Sequence, residues 1–135
     1  PVDFFEHCSA MNDVEIGGND LLQIYNVAQL KHRLNATGLY VACNKPLGFT
    51  VEVSNPDSNL VMVGIRVLVG SQDVQKAPSF VEVFGRIITL TVTRGRWYDI
   101  PFSREESLQA DKKLTIMFGP SQDPETLTMV DSIKV

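Results

Sequence analysis

The stretch Leu60–Gly85, LVMVGIRVLVGSQDVQKAPSFVEVFG, decides the fold. Its first ten residues place Val61, Val63, Ile65, Val67 and Val69 on one parity, so an extended chain presents five β-branched side chains to a single face. The other parity, Leu60, Met62, Gly64, Arg66 and Leu68, is mixed, as expected of a strand with one face in the core and the other partly covered. Each aliphatic side chain buried stabilises by roughly 1.5–3 kcal/mol, which outweighs any local helical preference. A polar loop from Gly70 to Ser79 then leads to a second short strand, Phe80–Phe84.

Working outward, Gly85 permits a tight reversal into a strand over Ile87–Thr93, with Ile88, Leu90 and Val92 facing in and Thr89, Thr91 and Thr93 facing out. Arg94-Gly95-Arg96 reads as a turn. Trp97–Phe102 is extended, with Pro101 marking an edge or a strand end. Ser103 followed three residues later by Glu106 forms a capping box for a short helix over Arg104–Ala110, with Lys112 and Lys113 beyond its far end. Leu114, Ile116 and Phe118 mark the inward face of the next strand, Gly119–Thr126 is a polar loop, and Met129–Val135 is expected to be one closing strand.

On the amino-terminal side, Phe49, Val51 and Val53 alternate with Thr50, Glu52 and Ser54, and Leu39–Cys43 is a shorter strand. Val14–Ile16 and Leu21–Tyr25 read as brief strands separated by turn residues. Asn26 and Gln29 have capping-box spacing, so a helix is predicted over Val27–Leu34, with Val27, Leu30 and Leu34 on one face and His32 on the exposed one. The expected organisation is a single domain: an amino-terminal extension, residues 1–38, with short strands and a helix at 27–34 packing on a β-sandwich of residues 39–135. Counting from Leu39 gives about eight short strands with turn signals at regular intervals. The fold class is therefore all-β, an antiparallel β-sandwich or jelly roll of the galactose-binding-like kind with a short helix appended.

The totals fit that reading. A chain of 135 residues with 21% charged and 44% hydrophobic residues is ordinary globular composition, long enough for a core without staples. No apolar run approaches the ~20 residues needed to cross a bilayer as a helix. A net charge of −4 argues against a nucleic-acid partner. Cys8 and Cys43 fit no short-spacing framework and are expected to be free thiols in a reducing compartment; the sequon at Asn35-Ala36-Thr37 is then incidental. The chain begins with Pro1, shows no leader and stops on DSIKV, so it is expected to be excised from something larger.

Catalytic chemistry is hard to place. His7 and His32 both precede the sandwich, and neither accompanies a nucleophile at a strand end. His7, Cys8, His32 and Cys43 lack the paired spacing of a zinc site, Gly17-Gly18-Asn19 lacks the rest of a phosphate loop, and Glu105 and Glu106 point apart on a helix. No catalytic residue and no cofactor are expected in this segment. The loop carrying Ser121, Gln122, Asp123 and Glu125, or that carrying Asp57 and Asn59, offers oxygen ligands of the kind calcium takes, though ordinary solvated polarity accounts for both. Trp97-Tyr98 beside Arg94 and Arg96 has the composition of a binding hot spot; alternation sends one ring to the core, and tryptophan is the more usual core residue.

If successive strands run alternately up and down, four loops fall at one end: Ala42–Gly48, Gly70–Ser79, Thr93–Arg96 and Gly119–Leu127. Candidate ligand-binding residues on that rim are Asn44, Lys45, Gln75, Lys76, Ser79, Arg94, Arg96, Gln122, Asp123 and Glu125.

DVEIGGNDLLQIYNVAQLKHRLNATG (13–38), APSFVEVFGR (77–86), RWYDIPFSREESLQADKKL (96–114) and TMVDSIKV (128–135) resemble a segment of the giant calossin or pushover family of UBR-box ubiquitin ligases. More distantly, the order of an APSF-like loop, an aromatic-rich RWYDIPF strand and a terminal IKV resembles the DOC domain of the anaphase-promoting complex, a galactose-binding-like jelly roll. The first resemblance implies a cytoplasmic and also nuclear ligase of the N-degron and protein quality-control pathway, with calmodulin and a small RING-type protein as partners outside this segment. The zinc-bearing UBR box and the ubiquitin-transfer module of that family need clusters of Cys and His, and this chain has two of each, so neither is expected here. The segment is then a non-catalytic module for substrate or partner recognition, or an internal scaffold, with a protein or peptide as partner. By similarity to DOC domains, degron contact falls around Ala77-Pro78-Ser79 and Asp123–Asp131. The competing class is a carbohydrate-binding module, for which the loops lack an aromatic platform in their interiors.

Overall fold

The computed structural model describes residues 15–17, 25–35, 39–43, 48–56, 62–71, 73–110, 112–122 and 128–134. Ten strands and two α-helices occur among them. The strands are β1 (Glu15–Gly17), β2 (Val41–Cys43), β3 (Phe49–Ser54), β4 (Gly64–Val69), β5 (Phe80–Val83), β6 (Arg86–Thr89), β7 (Arg96–Pro101), β8 (Lys113–Phe118), β9 (Thr128–Val130) and β10 (Ser132–Lys134). The helices are α1 (Val27–Asn35) and α2 (Arg104–Gln109), and a 3-10 turn spans Val74–Lys76.

One wall of the sandwich is a five-stranded antiparallel sheet in the order β1-β3-β8-β5-β6. The other is built from β10-β4-β7 and the pair β2-β9. These two pieces run together because β9 and β10 are successive halves of one bent segment: Asp131, at the bend, donates its N–H to the Leu68 carbonyl of β4 at 2.9 Å. The expected single closing strand is thus divided at Asp131, its first half paired with β2 and its second with β4.

The period-two pattern lands where the residues require. On β4, Ile65, Val67 and Val69 are fully buried while Arg66 and Leu68 are half-exposed on the other side. Ahead of the strand the prediction is reversed: Met62, read onto the other face, is buried, and Val63, read onto the inward face, is half-buried, because the regular strand begins only at Gly64; Leu60 and Val61 lie outside the described residues. Phe49, Val51 and Val53 of β3 meet Phe118, Ile116 and Leu114 of β8 in direct cross-strand register, all at 2% exposure or less. The Phe49 and Phe118 rings lie 5.4 Å apart, a spacing that adds to area burial.

The β5–β6 hairpin closes on Phe84 and Gly85, both with positive φ (54° and 74°), the conformation a two-residue hairpin turn demands. Ile88, Leu90 and Val92 face inward and Thr89, Thr91 and Thr93 outward, as the alternation predicts. The strand itself ends at Thr89 instead of Thr93. Its partner runs out: Leu90 N–H still reaches Ser79 O at 2.9 Å, but Ser79 then turns toward Pro120.

Both capping boxes form. Asn26 and Gln29 exchange backbone-to-side-chain hydrogen bonds of 2.9 and 2.8 Å, and Ser103 and Glu106 do so at 2.9 and 3.1 Å. Helix α1 lays Leu30 and Leu34 into the core at 0% exposure, and Ser132 of β10 donates its hydroxyl to the Leu34 carbonyl. His32 is exposed, and Cys43 is a buried free thiol. The brief strand read at Leu21–Tyr25, the sequon's Ala36 and Thr37, His7 and Cys8 fall outside the described residues except for Tyr25, which lies just before the helix. Among the described residues, no helix is long and apolar enough to cross a membrane.

Candidate functional site: the loop rim

Strand direction brings the described parts of the four loops to one end. Gly48 lies directly against the Phe118–Gly119 backbone, and Gly95 lies against Ser71. Pro78 and Ser121 form an isolated bridge. The loops are joined by their own polar groups. Ser79 donates its N–H (2.8 Å) and its hydroxyl (2.7 Å) to Pro120 O, and Gln122 N–H donates to Ala77 O at 2.8 Å. The Gln122 side-chain amide donates to both Pro78 O and Leu90 O at 3.0 Å. Thr128, at the start of β9, donates its hydroxyl to Gly119 O at 3.4 Å.

The rim candidates therefore divide. Ser79 and Gln122 are spent on stitching loop to loop. Gln75 and Lys76 sit on the 3-10 turn that Asp73 opens by accepting Gln75 N–H at 2.9 Å; Gln75 is exposed and Lys76 half-exposed. Arg94 is exposed on the neighbouring loop and Arg96 at the first position of β7, where its guanidinium lies 4.6 Å from the Tyr98 ring centre. Asn44, Lys45, Asp123 and Glu125 lie outside the described residues, as do Asp57 and Asn59. Of the calcium-loop residues, Ser121 is buried and Gln122 is engaged as above. Among the described residues, no group of three or more His, Cys, Asp and Glu is placed to hold a metal ion.

The aromatic pair is arranged opposite to expectation. Register pairs Tyr98 with inward-facing Val67, so Tyr98 packs on the core and donates its hydroxyl to Thr91 O at 2.9 Å. Trp97 is paired with Leu68 on the outer face, where the Arg66 guanidinium sits 5.1 Å from its ring and also grips Asp99 at 2.6 Å. The core thus took the smaller ring, because the inward parity of β4 fixes that of β7.

The residue that spacing did not single out is Asp131. It is 4% exposed; its Oδ2 accepts Ser71 N–H at 3.1 Å, and its Oδ1 is buried with no hydrogen-bond partner among the described residues. Burial pushes its carboxyl above the ordinary aspartate value, a shift only partly offset by the Ser71 hydrogen bond. The available signal was a lone acidic residue amid the apolar closing run TMVDSIKV. Because its folded-state pKa is raised, Asp131 contributes stability that is fully present below the unfolded pKa and lost as pH rises through the folded value. Asp131→Asn is expected to keep the bond to Ser71, to unfold no more easily than the parent at neutral pH, and to flatten the rise in stability on acidification. Chemical denaturation across pH 4–7 checks this; an unchanged slope is the contrary result.

The fold and rim define an antiparallel β-sandwich in which the described parts of four loops meet at one end. No family model matches the chain. The whole chain is 57% identical over 135 residues to a segment of protein purity of essence of Drosophila pseudoobscura pseudoobscura. It is 37% identical over 136 residues to one of auxin transport protein BIG of Oryza sativa subsp. japonica, and 33% identical over 135 residues to one of a probable E3 ubiquitin-protein ligase of Dictyostelium discoideum. All of this chain is covered in each case, while the match spans 2–3% of the relatives' length. The chain is similar along its whole length to a segment of each of these much longer proteins, and the resemblance to the calossin and pushover family is borne out.

Proposed function

We propose that this segment is a non-catalytic recognition module of a very large ubiquitin ligase of the N-degron and quality-control pathway, and that its loop rim receives an acidic, extended stretch of substrate protein. The observation that carries this reading is the division of labour on the rim. The described parts of the loops are joined through Ser79 and Gln122, while Arg94 and Arg96 are exposed and Lys76 half-exposed. Preorganised loops reduce the ordering cost of binding, and solvent-accessible cations steer an acidic partner. On this reading the ligase acts in the cytoplasm and nucleus, and calmodulin and a small RING-type protein bind outside the segment.

Charge reversal tests it. Lys76→Glu with Arg96→Glu in the full-length ligase is expected to reduce substrate capture by about tenfold or more at low salt, with a smaller deficit at high salt, because exposed charges are screened. Thermal unfolding should stay within about 0.5 kcal/mol of the parent, since both side chains lie at the surface. Unchanged capture at every ionic strength would overturn the reading in favour of an internal scaffold. The carbohydrate-binding alternative has less support: the one tryptophan lies on the outer sheet face with a guanidinium over its ring.

A further inference from the structure

The outer edge of the five-stranded sheet carries a feature independent of the rim. In a two-residue hairpin the residues flanking the turn exchange both backbone hydrogen bonds, and the pattern then alternates. Val83 and Arg86 flank this turn, Val81 is opposite Ile88, and the Leu90 N–H bond to Ser79 O continues the same alternation. Arg86 and Ile88 therefore direct their backbone groups toward β5. Ile87 and Thr89 direct theirs away from the sheet, along an edge that no strand among the described residues occupies.

The edges at β7, β1 and β2 are protected in ways this one is not. Strand β7 carries Arg96, Asp99 and Pro101; β1 is three residues long and bears exposed Glu15. Beside β2, Tyr25 and Arg33 bond the Ala42 N–H and the Tyr40 carbonyl. Charges, proline and short length are the usual defences of an open edge. Strand β6 instead begins the run IITLTVT (87–93), seven residues without charge, proline or glycine. Arg86, the one charge on the strand, is turned aside: its guanidinium bonds both Glu106 carboxylate oxygens at 3.0 and 3.1 Å and Pro101 O at 2.9 Å. Among the described residues, the exposed large hydrophobics are Ile87, at 63%, and Leu108, at 68%, two positions after Glu106 on α2.

We infer that the β6 edge is a strand-docking site, and that its occupant is an extended, uncharged, aliphatic stretch from elsewhere in the same long polypeptide. Backbone N–H and C=O groups in an edge ladder fit another strand. The ladder is short: Thr91 O, the next outward carbonyl, is taken by the Tyr98 hydroxyl, and the Phe84-Gly85 turn ends the strand on the other side. So few positions hold a free peptide weakly, whereas a segment tethered in the same chain docks as an intramolecular event and needs less intrinsic affinity. Relatives in which this segment is 2–3% of the length have ample chain to supply one.

Amide hydrogen exchange of the full-length protein, resolved to single residues, tests docking. Ile87 and Thr89 amides are expected to exchange within about tenfold of those of Arg86 and Ile88, as paired amides of one cooperative unit do. Exchange at the rate of an open edge would overturn the proposal. Thr89→Pro removes only an outward N–H, and Thr89→Lys keeps the N–H but adds a charge; each should release Ile87 while Ile88 stays protected. A photocrosslinking residue at Thr89, in mixed isotope-labelled and unlabelled protein, identifies the occupant. Crosslinks within one copy support the assignment; crosslinks to a second copy or to another protein overturn it.

Discussion

Gly48→Ala is expected to destabilise the fold by about 3 kcal/mol, which for a domain of this size lowers the midpoint of thermal unfolding by roughly 10 °C. Two costs add. Gly48 has φ +97°, which an L side chain adopts only with strain, and a Cβ built there would stand 2.0 Å from the Phe118 carbonyl oxygen and 2.9 Å from Gly119 backbone atoms. Those atoms are backbone at the end of the central strand β8, so neither can yield without disturbing the Phe49–Phe118 register. Gly85→Ala is the control. It has a similar φ, +74°, but nothing within 4 Å of its added Cβ, so it should cost only the conformational share, about 1 kcal/mol. Equal losses in the two variants, measured by urea denaturation, would show that the contact at Gly48 relaxes freely.

Phe118→Ala carries the second large effect, about 3–5 kcal/mol. Phe118 is at 0% exposure, faces Phe49 at 5.4 Å across the strand pair, and lies opposite Val81 on β5, so its ring fills the core directly beneath the rim. Truncation leaves a cavity bounded by two strands that the sheet hydrogen bonds hold apart, which limits collapse. Because Gly119, Pro120 and Gln122 follow immediately and anchor the rim loops, the variant should also lose hydrogen-exchange protection at Ser79 and Gln122 before global unfolding. Ile87→Ala, on the exposed edge, should by contrast change stability by no more than about 0.5 kcal/mol. A Phe118 variant as stable as the Ile87 variant would mean that the core is not closed where Phe118 places it.

The chain's own pattern was enough for every contribution that depends on neighbours a few residues apart. Alternation in Phe49–Ser54, Gly64–Val69 and Lys113–Phe118 settles which side chains are buried, because in an extended chain parity alone assigns the face. The Asn26–Gln29 and Ser103–Glu106 boxes set two helix starts, since each closes its bonds within one turn. The hairpin at Phe84-Gly85 follows from a glycine placed between two β-branched runs. Even the gathering of the four loops follows from counting strands in an antiparallel fold.

What the rim residues do with their polar groups was another matter. Gln122 and Ser79 have the composition of surface donors, and only the approach of Pro78, Leu90 and Pro120 from as far as 44 residues away turns them inward. Trp97 and Tyr98 differ by one step of register, and β4, more than 25 residues upstream, settles which of them the core receives. The bend at Asp131 exists because two sheets claim successive halves of one apolar run, something no local propensity encodes. Local sequence thus chose the faces and the turns, where the competing energies lie within a few residues. Tertiary structure assigned the partners, because a hydrogen bond or ring contact between distant segments is settled only when the sheets close and the register has no further freedom.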